Sequence, residues 1–302
     1  MYYCGWDGGG TKTEVYAVDE NGQTLADRCF GPLNPNGASQ EKIMDTAREA
    51  IHFMASLPGG LEDCGGLVIG IAGVSNRHAA EIIENEVRTG GYHGPVRLLG
   101  DQEIALAGAI DGPGAVLIAG TGAICFGRDE AGKGFRVGGY GYLIDDGGSG
   151  YAIGRDILSS VVRCVDGRLP ESCLPPLVFD FLKVKDVQGI ITWLYAPATG
   201  KKEVASLAPL LLKAMEAGDE VAYTIAQNAA KDLSELVTTA WRKTGMTSGE
   251  LALAGSILNR YAVIREKVQK MVSKALPDVN IHPPRGTAAQ GAARLAIEYF
   301  KK

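Results

Sequence analysis

The residue types best suited to chemistry gather near the start of the chain, in Gly5-Trp6-Asp7-Gly8-Gly9-Gly10-Thr11-Lys12-Thr13. The stretch follows Tyr2-Tyr3-Cys4, which opens a strand, and precedes the alternating run Glu14-Val15-Tyr16-Ala17-Val18, which reads as a second strand. It is therefore a glycine-rich hairpin turn carrying a carboxylate and two threonine hydroxyls. Successive glycines admit positive φ and let a ligand approach the backbone. Backbone N–H groups in such a turn can form a concave anion site. Asp7, at the strand end, is placed to orient a metal-bound water, and Thr11 and Thr13 offer hydroxyls to a phosphate. A plain hairpin turn needs fewer glycines than this.

Other polar groups fall at loop positions. Asp101 comes between a short strand pattern, residues 95–99, and a helical pattern, residues 102–110. Carboxyl ends of strands in open α/β sheets face the ligand crevice. The same place also suits an aspartate that caps the following helix. Gly120-Thr121-Gly122 lies between two strand patterns, as a second ligand-contacting turn or a simple hairpin. Asn34 and Asn36 flank a proline. Their amides can donate to and accept from sugar hydroxyls, and Asn-Pro-Asn is also a good turn former. The segment from Gly138 to Tyr151, Gly-Gly-Tyr-Gly-Tyr-Leu-Ile-Asp-Asp-Gly-Gly-Ser-Gly-Tyr, permits close backbone approach to a ligand, or is a flexible surface loop. No Gly-Lys-Ser/Thr closes a Walker A loop, and no complete G-x-G-x-x-G points to a dinucleotide.

The elements that must position these groups follow from periodicity and punctuation. Asn21-Gly22 marks a tight turn, and residues 23–30 make a third strand. After a loop rich in proline, glycine and asparagine, Ser39 caps a helix to about Ser56. A buried strand over 67–72, a helix over 77–89, a strand over 95–99 and a helix over 102–110 complete a β-β-β-α-β-α-β-α order. From residue 115 three strand patterns recur, with Gly120-Thr121-Gly122 at the first turn, so the opening repeats as fold and not as sequence. Residues 175–245 are almost wholly helical, broken near residues 196–200. A strand over 251–254 then leads to Gly255-Ser256. A helix over 261–276, a short strand over 279–281 and a helix over 287–300 end the chain.

Asp-Gly-Gly-Gly-Thr-Lys-Thr, residues 7–13, resembles the first phosphate loop of the actin / hexokinase / Hsp70 ATPase superfamily, and more closely that of the BadF/BadG/BcrA/BcrD ATPase family, whose members include N-acetylglucosamine kinases. The resemblance implies an α/β fold of two ribonuclease-H-like (actin-like ATPase) domains with a nucleotide cleft between them. They are placed at residues 1–112 with 287–302, and at 113–286 with a helical insertion. It further implies that Asp101 takes the proton from the attacking sugar hydroxyl and that Gly8, Gly9, Gly10, Thr11, Lys12, Thr13, Gly120, Thr121 and Gly122 hold phosphate. Gly255 and Ser256 fall on the adenosine side. Asn34, Asn36, Asp101, Gly139, Tyr140, Gly141 and Asp146 are implied sugar contacts, and Asp7 holds magnesium through water. The second phosphate loop of the family usually reads Gly-Thr-Gly-Ser. Here Ala123 stands in place of that serine, which removes one hydroxyl.

The expected activity is ATP- and Mg²⁺-dependent phosphorylation of N-acetylglucosamine, or of glucosamine or N-acetylmuramic acid, at the 6-hydroxyl, by a cytoplasmic homodimer. Another branch of the family activates 2-hydroxyacyl-CoA dehydratases and ligates a 4Fe–4S cluster with cysteines. Cys125 and Cys164 lack the spacing for that, and no zinc pattern of the repressor-kinase relatives is present. With 22% charged residues and a net charge of −5, the chain has no basic stripe for nucleic acid. Its apolar runs are too short to span a bilayer. The six cysteines, without a secretion signal, are expected as reduced thiols.

Overall fold

The computed structural model describes residues 1–34, 38–71 and 77–301, and for 77–79 the backbone alone. The chain divides into two compact units, Met1–Asp111 with Pro284–Lys302, and Gly112–Pro283.

In the first unit, β1 (Tyr2–Gly8), β2 (Thr13–Asp19) and β3 (Thr24–Phe30) form an antiparallel meander, and β4 (Cys64–Ile71) and β5 (Val96–Gly100) add in parallel, giving the order β3-β2-β1-β4-β5. The central strand β1 is buried on both faces, so Tyr2, Tyr3, Cys4 and Trp6 are all buried rather than alternately exposed. Tyr2, Cys4 and Trp6 point into a core shared with α1 (Gln40–Ala55) and α2 (Arg77–Thr89). Tyr3 points the other way, into a core shared with α3 (Asp101–Ala109) and α12 (Ala288–Phe300). The second layer is tight because glycines stand where helices touch. A Cβ on Gly5 would lie 2.1 Å from the Ala293 nitrogen, and one on Gly291 would lie 2.1 Å from the Ile104 carbonyl oxygen. The expected N-cap is in place, the Ser39 hydroxyl accepting from the Lys42 N–H, and Thr287, read from sequence as the first residue of the last helix, is its N-cap, with the hydroxyl accepting from the Gln290 N–H.

The second unit repeats the plan. Its strands β6 (Gly114–Ala119), β7 (Ala123–Arg128) and β8 (Gly134–Gly138) are antiparallel, while β9 (Gly249–Ala254) and β10 (Val279–His282) join in parallel, in the order β10-β9-β6-β7-β8. Read from β8, this is the order of the first sheet with β6 in the place of β1. Between β8 and β9 run the helices α4 (Gly150–Val165), α5 (Leu174–Leu182), α6 (Val187–Leu194), α7 (Lys201–Ala205), α8 (Pro209–Glu216) and α9 (Glu220–Thr244). Two more, α10 (Ser256–Arg260) and α11 (Ala262–Ala275), follow β9. Strand β6 and helices α4, α9 and α11 share one apolar core in which Leu117, Ile157, Leu233 and Val268 are fully buried.

Two boundaries differ from the sequence pattern in ways that matter to the site. Strand β1 runs on through Gly8, because Gly5 to Gly8 pair with both β2 and β4, so the turn shrinks to residues 9–12. A one-turn helix, α10, starts directly at Ser256, too short for periodicity to reveal.

Candidate active site

In the first unit, β1 and β2 set Asp7 opposite Glu14 and Gly8 opposite Thr13. The turn closes through a Gly9 N–H donated to the Lys12 carbonyl at 3.0 Å. Gly8 and Gly9 are required for space and not for positive φ, contrary to the expectation: Gly8, Gly9 and Gly10 all lie outside the left-handed region. A Cβ on Gly8 would lie 2.7 Å from Ile71 Cγ2, and one on Gly9 would lie 2.8 Å from the Lys12 carbonyl oxygen, whereas Gly10 faces open space. The Gly9 carbonyl accepts from the Leu33 and Asn34 N–H groups at 3.1 and 3.2 Å. The loop that carries Asn34 is thereby fastened to the turn. Asn36 lies outside the described residues. Thr11 and Lys12 are exposed, and with Asp7, Gly9, Gly10 and Glu14 they line a pocket of about 220 Å³. Thr13 is fully buried, with its hydroxyl enclosed and, among the described residues, without a hydrogen-bond partner.

Alternation along β1 puts Asp7 on the face of Tyr3 and Gly5, which α3 and α12 cover. The first residue of α3 is Asp101, so strand β5 delivers a second carboxylate towards Asp7. The N-cap is Gly100, whose N–H donates to Glu103 Oε1 at 3.1 Å. Asp101 is therefore the first helical residue and not the N-cap: its side chain is exposed, with Oδ1 accepting the first-turn Gln102 N–H at 3.0 Å.

Burial raises the Asp7 carboxyl from 3.8 to about 6; the charges of Asp101 and Glu14 add to this and Lys12 opposes it. A carboxylate held among like charges suits a cation neighbour. One carboxylate completed by waters and phosphates is also the usual magnesium arrangement. Among the described residues no group of three or more His, Cys, Asp or Glu could hold a metal unaided.

The raised value has a stability consequence. A carboxyl whose folded pKa exceeds its unfolded value favours folding below pH 3.8 and loses that contribution as pH rises through about 6. Without nucleotide or magnesium, Asp7→Asn is expected to melt a few degrees above the wild type at pH 8, the gain shrinking to nothing near pH 4. Thermal melts across that range check it; a gain independent of pH would contradict the coupling.

In the second unit the turn between β6 and β7 is Gly120-Thr121-Gly122, with Thr121 exposed and the Gly120 N–H donated to the Gly122 carbonyl at 2.9 Å. The N-terminus of α4 fastens it: the Gly150 N–H donates to the Gly120 carbonyl at 2.7 Å and the Tyr151 N–H to the Thr121 carbonyl at 3.4 Å. Gly120 and Thr121 share a pocket of about 140 Å³ with Ser206, Pro209, Ser256, Arg260 and Tyr261. The two stretches expected on the phosphate and adenosine sides, far apart in sequence, thus meet at one pocket. Gly255 has φ +92° and closes against β6, where a Cβ would lie 2.3 Å from the Ala119 carbonyl oxygen.

The glycine-dense segment divides. Tyr140 is 64% exposed beneath the Arg136 guanidinium, and its N–H donates to Asp145 Oδ2 at 3.1 Å. Tyr140 lines a separate pocket of about 510 Å³ with Val137, Ile144, Asp145, Asp232 and Glu235, which does not include the Gly120–Gly122 turn. Gly139 and Gly141 have φ of +75° and +105°, and a Cβ on Gly139 would lie 2.9 Å from that of Ile124. Asp146, in contrast, lies at the turn. It is 4% exposed, in the left-handed region at φ 62°, with Oδ2 bound to the Lys201 ammonium at 2.9 Å. The side chain faces inward, paired with that lysine. Lys201 was not legible in the sequence. It follows the break near residues 196–200, but nothing local ties it to an aspartate 55 residues earlier.

A sequence profile described as the BadF/BadG/BcrA/BcrD ATPase family matches residues 4–296. The chain belongs to that family. Family relatives agree along its whole length. An N-acetylmuramic acid/N-acetylglucosamine kinase of Clostridium acetobutylicum is 33% identical over 98% of each chain. An N-acetyl-D-glucosamine kinase of Dictyostelium discoideum is 29% identical over 99% of this chain and 98% of its own. A solved structure from Chromobacterium violaceum, provisionally assigned as an N-acetylglucosamine kinase, superposes with a TM-score of 0.75 at 25% identity, covering 98% of both chains. The two five-stranded mixed sheets are those of the two-domain actin-like sugar kinase fold. Among the described residues no helix is long and apolar enough to cross a membrane.

Proposed function

We propose that this chain is an ATP-dependent kinase of N-acetylglucosamine or a close amino sugar, N-acetylmuramic acid or glucosamine, with the 6-hydroxyl as acceptor. Family membership and full-length relatives that are sugar kinases make it a phosphotransferase with an alcohol group as acceptor. The observation that carries the reading is Asp101, exposed at the end of β5 and electrostatically coupled to Asp7 at the glycine turn. In this reading Asp101 accepts the proton of the sugar hydroxyl as its oxygen bonds to the γ-phosphorus. The bond from that phosphorus to the bridging oxygen breaks, and ADP leaves with the electron pair. Asn34, fastened beside the turn, is placed to orient the sugar. Gly9 to Lys12 and Gly120 to Gly122 receive phosphate, while Ser256 and Arg260 border the adenosine. Magnesium, held through water by Asp7, would supply charge neutralisation at the phosphates.

The dehydratase-activator reading needs a cysteine thiolate at a cluster. Cys125 is wholly enclosed in the second core, where burial pushes its thiol to about 12. That disfavours a ligand thiolate. An ADP-release assay screened over N-acetylglucosamine, N-acetylmuramic acid, glucosamine and glucose tests the proposal. ADP release stimulated by an amino sugar, with the product phosphate located on O6 by NMR, is expected. ATP hydrolysis indifferent to every sugar would overturn it.

A further inference from the structure

Lys201 lies outside the stretches that carry the resemblance to the family and outside the residues singled out from sequence above. It begins α7, and that helix is fixed in place: Glu203 Oε2 accepts the Gly200 N–H at 2.8 Å, and Gly154 of α4 packs so closely that a Cβ there would lie 2.0 Å from the Val204 carbonyl oxygen. Its ammonium is 2.9 Å from Asp146 Oδ2 and 5.6 Å from the centroid of the Tyr142 ring. The pair lies directly against the turn: a Cβ on Gly122 would fall 2.8 Å from Asp146 Oδ2 and 3.0 Å from Lys201 Nζ. Asp146 is 4% exposed while the lysine side chain keeps 31%, so the anion is sealed inside and the cation reaches the surface beside the turn.

A partly buried ion pair is weak evidence of a stabilising role, because desolvation offsets much of the attraction. The duplicated fold suggests another use. In the first unit the turn between the first two strands carries its own cation, Lys12, on the pocket of that turn. In the second unit the topologically equivalent turn, between β6 and β7, contains no basic residue. The ammonium at that turn comes from α7 of the helical insertion instead. A lysine nitrogen has three donors, of which Asp146 accepts one. A fixed ammonium beside a glycine turn is an anion-receiving group.

We propose that Lys201 contacts the phosphates of the bound nucleotide at the second glycine turn, and that Asp146 is a positioning residue that holds the ammonium there. This rests on the ATP half of the reading above and is independent of which sugar is phosphorylated.

The test is calorimetry on the whole chain without sugar, using ATP, ADP and adenosine. Lys201→Met is expected to weaken ATP and ADP binding about 10- to 100-fold, the scale of a lost charge-assisted hydrogen bond, and to leave adenosine affinity unchanged. Lys201→Arg should recover part of the loss. Should Lys201→Met misfold because Asp146 is left buried and unpaired, the double variant Lys201→Met with Asp146→Asn removes both charges and should show the same phosphate-selective loss. Equal weakening of ATP and adenosine in a folded variant would mark a structural role and overturn the proposal. So would unchanged ATP affinity. A wild-type chain that binds no nucleotide overturns the ATP reading as well, whereas wild-type ATP binding with an indifferent variant overturns this inference alone.

Discussion

Asp101→Asn is expected to lower the turnover of amino-sugar phosphorylation by about two to four orders of magnitude while leaving the KM for ATP and for sugar within a few-fold. The asparagine keeps an oxygen for the Gln102 N–H, and Gly100 rather than Asp101 is the N-cap, so α3 should start where it does now. What is lost is the group that takes the hydroxyl proton. The substitution also removes one of the charges that press on Asp7. The stability of the variant without ligands should therefore depend less on pH between about 4 and 6 than that of the wild type. Steady-state kinetics with thermal melts measure both effects. Turnover within a few-fold of the wild type would remove Asp101 from the chemistry, whatever the melts show.

The second large effect is expected at the first turn. Gly9→Val should weaken ATP binding by two orders of magnitude or more with the fold retained. The new Cβ would sit 2.8 Å from the Lys12 carbonyl oxygen. It would therefore break the hydrogen bond that closes the turn and disturb the carbonyl that anchors Leu33 and Asn34. The damage stays local because the first core is built on Trp6, Val15 and Leu67, not on the turn. Gly10→Ala is the control. A methyl group on Gly10 would have nothing within 4 Å, and the residue has no positive φ, so alanine should be tolerated. Calorimetric titration of both variants with ATP decides the matter. Equal affinities for Gly9→Val and the wild type would refute the account.

How much of this could be read from the residues varies with the range of the interaction. Helix α1 and its Ser39 cap, the strands on either side of each glycine turn, and the recurrence of the three-strand opening all follow from periods and punctuation within a dozen residues. The need for glycine at residues 8 and 9 was visible, but its reason was not. Positive φ is a property of one residue, whereas the clearance actually required is set by Ile71 and by the Lys12 carbonyl. Thr13 shows the same limit. A hydroxyl after a phosphate-type loop reads as a ligand group, yet pairing with Gly8 turns it inward. Asp146 and Lys201 mark the far end of the scale. Their pairing depends on where a short helix of the insertion docks on α4, and no pattern in the sequence encodes that.

The return of α12 to the first unit has a bearing on how the chain is made. Strand β1 is synthesised before the second unit, but the helix that packs within van der Waals reach of Gly5 and Gly108 is synthesised only after it. All of Gly112–Pro283 is translated in between. Domains usually mature in the order in which they appear. Here the later unit has its complete sequence first, and the earlier one waits with the apolar face of Tyr3, Val68 and Ile104 unsealed. Biosynthesis thus gives the first sheet an interval in which one of its faces depends on a helix not yet made, and in which chaperone capture would act on that face.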